Sequence, residues 1–81
     1  MACDYIKVLD LAQQGKWDAA HLLVQPYSGE CAYLIHGYLH RVEGDLDNAD
    51  YWYKRAKTEM PENSLKEEFE RLYTLCGSKN Q

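Results

Sequence analysis

A shift of 29 residues lays Gly15-Lys16-Trp17-Asp18-Ala19-Ala20 over Gly44-Asp45-Leu46-Asp47-Asn48-Ala49 and sets Val24 against Tyr53. Self-similarity on this scale is the mark of a repeated helical pair, each copy of which needs its neighbour to bury its apolar face. The residue types in the pairing fit that role. Gly makes the turn, a large apolar residue opens the next helix, and Ala sits where two helices cross too closely for anything bigger.

Apolar residues recur at helical spacing along the rest of the chain and no strand-like alternation competes, so five helices are predicted and the fold class is all-α. The first runs from Asp4, its N-cap, to Gln14, with Gly15 as a left-handed stop. The second begins near Trp17 and ends before Pro26, because proline offers no N–H and crowds the preceding turn. Ser28 is expected to cap a third helix that runs through Glu43 and stops at Gly44, and Asp45 a fourth that lasts to Met60. Ser64 and Glu67 form a capping box for the fifth, in which Leu65, Phe69, Leu72 and Cys76 trace an apolar stripe before Gly77. Residues 1–77 are therefore expected to make one domain: two antiparallel helix hairpins, 1–29 and 30–63, and a capping helix over 64–77. The tail 78–81 has nothing to bury and is expected to be flexible.

Residues 30–63 resemble the tetratricopeptide repeat (TPR), a pattern of about 34 residues, with Tyr33, Gly37, Gly44, Leu46, Ala49, Tyr53, Ala56 and Pro61 in register. The match departs where that family has Leu and Tyr in its first helix and this chain has His36 and His40. The first unit keeps Leu11, Gly15, Trp17 and Ala20 of the pattern and has a shortened second helix. The segment from His36 to Tyr53 also looks like that of small proteins with no known activity, which adds no mechanism. What the TPR resemblance implies is an α-α superhelix whose first-of-pair helices line a groove for a helix or peptide. Transferred to this sequence, the partner-binding residues are Tyr5, Leu9, Leu34, Tyr38, Arg41 and Val42, with Ala12 and Cys31 on the same face. Chaperone-binding members clamp a terminal carboxylate with Lys and Asn there, so the apolar face of this chain argues against that ligand. With two repeats in place of the usual three or more, the face is alternatively covered by the fifth helix or by a second copy of the chain.

Composition narrows the partners. A net charge of −4 and a pI near 5.2 give no general attraction to nucleic acid or anionic lipid. Seven Tyr, two Trp and one Phe are many for 81 residues, and rings this large are either core or sticky surface. Cys3, Cys31 and Cys76 are odd in number and far apart, which suits reduced thiols in a cytosol better than a disulfide framework. There is no basic region followed by an apolar run at the N-terminus and no stretch of about eighteen apolar residues, so a cytoplasmic, unanchored chain is expected.

The sharpest chemical feature is His36 and His40, four apart on one helix face, with Glu43 three further on, a spacing that can present two imidazoles and a carboxylate to one ion. A zinc protease would carry Glu beside the first His as general base, and Gly37 fills that place. Packing is the favoured role of the two histidines, with hydrogen bonds to Asp47, Asp50 or Tyr53, and a metal site is the alternative. His21 is expected to be a partly exposed packing residue. No nucleophile elbow, neighbouring Cys/His pair or phosphate-cradling loop exists, so no enzymatic activity and no cofactor are expected. In Tyr51-Trp52-Tyr53-Lys54-Arg55-Ala56-Lys57, the line Leu46, Ala49, Tyr53, Ala56 and Met60 is expected inside and the cations on the rim. Trp52 and Tyr51 are expected to meet Phe69 and Tyr73 or to form an exposed patch. The function expected from the sequence is thus protein–protein interaction, with a metal or small-ligand site around His36, His40 and Glu43 as the alternative.

Overall fold

Short-range punctuation starts and stops each helix where turn chemistry directs. In the structure, a computed structural model that describes residues 3–77, α1 is Tyr5–Gln13 and α2 Trp17–Val24; α3 is Glu30–Glu43, α4 Leu46–Arg55 and α5 Leu65–Gly77. There is no strand among the described residues, and the fold is all-α. The predicted tail 78–81 lies outside them.

Asp4 and Asp45 cap α1 and α4 by accepting the backbone N–H of Lys7 at 3.1 Å and of Asn48 at 3.2 Å. Gly15 and Gly44 both take positive φ, 78° and 87°. After them the N–H of Lys16 donates to Leu11 O and that of Asp45 to His40 O, each at 2.9 Å. The two turns are therefore the same closure repeated 29 residues apart. Ala20 and Ala49, at the matching positions of α2 and α4, are fully buried, as are Val24 and Tyr53. The capping box holds as well: Glu67 N–H donates to Ser64 Oγ at 3.0 Å, and Ser64 N–H to Glu67 Oε1 at 2.8 Å.

Two helix boundaries differ from expectation. Gly29, not Ser28, precedes α3; its φ of 111° is open only to glycine at low cost and turns the chain so that Ser28 stays one residue outside. α4 ends at Arg55 instead of Met60 because Lys57 adopts φ 63° and closes a Schellman motif, with Thr58 N–H on Tyr53 O and Lys57 N–H on Lys54 O. Leu46, expected inside, is 55 % exposed, whereas Ala49, Tyr53 and Ala56 of the same line are buried.

The central element is α3, which packs on all four other helices. Consecutive helical positions turn by about 100°, so Leu34 and Tyr38 face about 200° away from His36 and His40. One side of α3 meets α1 and α5; the other meets α2 and α4. Gly37 lies against α4 so closely that a Cβ there would sit 2.8 Å from a ring carbon of Tyr53.

α5 covers the face that the repeat resemblance assigned to a partner. Leu9, Leu34 and Tyr38 are buried, Tyr5 is half-buried, and the Arg41 guanidinium donates to Asn63 Oδ1 at 2.9 Å and to Asn63 O at 2.6 Å. Only Val42 of that set is exposed. α5 is tied down by Glu68, a fully buried carboxylate that accepts from Tyr53 Oη at 2.7 Å, from Asn63 Nδ2 at 2.9 Å and from two Arg71 nitrogens at 2.8 and 2.9 Å. Burial alone would raise its pKa, but those hydrogen bonds outweigh burial and hold it below the usual carboxylate value. Cys31 at the start of α3 and Cys76 at the end of α5 form a disulfide, which corrects the expectation of reduced thiols and removes the cysteine argument for a cytoplasmic location. No helix among the described residues is long and apolar enough to cross a membrane.

Candidate metal centre

Three histidines converge between α2, α3 and α4. His36 and His40 stand one turn apart on α3, as their spacing requires, and His21 reaches them from α2, one turn after Trp17. The ring centroids lie 4.7 Å apart for His21 and His36, 5.4 Å for His21 and His40, and 5.0 Å for His36 and His40. The Nε2 atoms of His21 and His36 are 3.0 Å apart, and one ring nitrogen from each of the three lies within 4.8 Å of the others. Zinc–imidazole bonds of about 2.0–2.1 Å in tetrahedral array put ligand nitrogens about 3.3–3.4 Å apart, a value these separations bracket.

Each ring is held by a neighbour. Trp17 stacks on His21 at 4.8 Å and is itself fixed by an indole N–H bond of 2.6 Å to Leu39 O. Trp52 stacks on His36 at 3.7 Å with the ring planes 11° apart. His40 donates through Nδ1 to Glu43 Oε1 at 2.6 Å, which leaves its Nε2 as the lone-pair nitrogen. His36 and His40 are buried and His21 half-buried. Burial first, and the neighbouring imidazoles second, push the His36 pKa down to about 4 and lower that of His21, so both are neutral at pH 7; their Nε2 atoms share a hydrogen bond in which one ring donates to the other, and an ion between them would displace that proton. The three rings, Gln25, Asn48 and Trp52 line a surface hollow of about 480 Å³.

Of the predicted metal set, His36 and His40 come together, whereas Glu43 binds His40 instead of joining the three-nitrogen cluster. A second group, His40, Glu43 and Asp45, shares the His40 ring and two exposed carboxylates, of which Asp45 already caps α4. Neither histidine bonds Asp47, Asp50 or Tyr53, because α2 interposes His21 on one side and Tyr53 turns its hydroxyl to Glu68. Sequence reasoning did not bring His21 to this pair; its signal is the Trp17/His21 pair one helical turn apart beside the crossing residue Ala20. Trp52 is placed against His36 and Tyr33 and not against Phe69, while Tyr51 stays exposed beneath the Arg55 guanidinium. A scan against family models, a search of curated proteins and a search of solved structures each return no match for this chain.

Proposed function

We propose that this chain is a small helical domain that binds one divalent transition-metal ion, zinc in the first instance, through His21, His36 and His40. The observation that carries the reading is the meeting of three imidazole nitrogens from two helices within 4.8 Å. Neutral imidazole is a preferred ligand of zinc and its neighbours in the first transition row. The His40–Glu43 bond supports it further, since a metal-bound histidine commonly gives its other N–H to a carboxylate. Binding, not turnover, is proposed, because the carboxylate bonded at the rings is already engaged with His40.

Protein interaction through the inner face of α1 and α3 is a reading the TPR-like pattern of residues 30–63 supports, but in this structure the helix that fills that face is the chain's own α5. An external partner would need α5, whose Phe69 ring lies beside Tyr38, displaced from α1 and α3. The metal reading requires no such rearrangement.

Calorimetric titration of the tag-free, metal-stripped chain with zinc chloride is the test. Binding of one ion per chain, lost in both His21→Ala and His36→Ala while the helical circular dichroism persists, is the expected result. No heat, or binding indifferent to both substitutions, would leave the three rings as packing and end the proposal.

A further inference from the structure

We infer that the metal held by His21, His36 and His40 keeps one coordination position open toward solvent, and that this position takes a small oxyanion, a carboxylate or a phosphate. The inference rests on the metal reading above and adds its ligand class.

The ligand count comes first. Among the described residues no fourth His, Cys, Asp or Glu joins the three-nitrogen cluster, so the protein supplies three donors. Zinc sites with three protein ligands hold water or an exogenous group in the fourth position, whereas structural sites close it with a fourth side chain. The hollow beside the rings gives that position room.

Charge decides what enters. Imidazole ligands carry no negative charge onto the ion, the one carboxylate bonded to a ligand, Glu43, sits behind His40 and offsets the ion's charge only in part, and no carboxylate lines the hollow. Its remaining walls are Gln25 from α2, Asn48 from α4 and the Trp52 ring already stacked on His36. Two carboxamides can donate N–H to an oxygen of a bound anion while another oxygen takes the metal. A cationic ligand would meet the ion's own charge, and a large apolar one would find one indole and little else. A small oxyanion satisfies the metal and the two amides together.

Cobalt(II) in place of zinc makes the open position visible, because its absorption bands respond to the number and type of ligands. The chain is loaded with cobalt in a non-coordinating buffer and titrated separately with sodium acetate and sodium phosphate. A saturable change in the visible spectrum with either anion is expected, and the anion that saturates at lower concentration identifies which of the two chemistries the site prefers. Asn48→Leu and Gln25→Leu should each bind cobalt but hold the anion about tenfold more weakly, the usual loss for a hydrogen bond to a charged group. A cobalt spectrum that neither anion alters, or an anion affinity in both variants equal to that of the unaltered chain, would overturn the inference while the metal reading stands. Absence of any protein-bound cobalt spectrum would remove both.

Discussion

The Nδ1 atom of His40 lies 2.6 Å from Oε1 of Glu43, so a carboxylate one turn along α3 fixes one side of an imidazole whose ring meets two others. Glu43 itself is exposed and carries none of the core. Its substitution therefore separates metal affinity from folding. Glu43→Ala should weaken zinc binding about 10–100-fold, as loss of such outer partners generally does, and should shift stability by less than about 1 kcal/mol. Calorimetry and urea denaturation of the same samples check the two halves.

Gly37 is a contact, not a hinge. Its backbone angle is ordinary, but a Cβ would stand 2.8 Å from Tyr53 Cδ2 and 3.2 Å from Ala49 O. Both neighbours are fully buried and cannot withdraw. Gly37→Ala should destabilise the chain by about 1–3 kcal/mol through overpacking, read as a lower urea midpoint with an unchanged slope.

Acid should unfold the protein in two overlapping stages. The folded-state pKa of His36 is depressed to about 4 from 6.5, so between those values the unfolded chain binds the extra proton and stability falls as pH drops. Glu68, also depressed below its ordinary 4.5, contributes stability that is present above that value and lost as pH falls through its folded pKa. Metal-free protein melted at intervals from pH 7 to pH 3 should show this decline. In Glu68→Gln the part below pH 4.5 should flatten, and stability at pH 7 should fall by about 1–2 kcal/mol, because the charge-assisted bonds to Arg71 are lost while its half-exposed guanidinium can still be hydrated.

The Cys31–Cys76 bond spans 45 residues of sequence, and closing a loop of that size removes entropy from the unfolded chain worth about 4 kcal/mol. Melting in dithiothreitol should fall by a corresponding margin, and Cys76→Ser should melt as the reduced protein does. Thiol titration of the non-reduced, denatured chain should find one reactive group, Cys3, since two of the three cysteines are paired. Three reactive thiols would mean the bond is not formed.

The helices, their stops at Gly15 and Gly44, the caps at Asp4, Asp45 and Ser64, and the buried pair Ala20 and Ala49 were legible in the residues, because each is governed by neighbours within about one helical turn or by the 29-residue repeat. Even there, Lys57 closed α4 early in a conformation that no glycine announced. The alliances across longer stretches were not legible. His21 meets His36 across 15 residues, Tyr53 meets Glu68 across another 15, and Cys31 meets Cys76 across 45. Periodicity states which side of a helix is apolar, but not which neighbour comes to lie against it. That choice is made by packing: α5 settled on the Leu34 and Tyr38 side of α3, and α2 and α4 enclosed the histidine side. A face that the repeat resemblance assigned to a partner is thus packed within the chain, and a histidine on its own in the sequence stands beside two others.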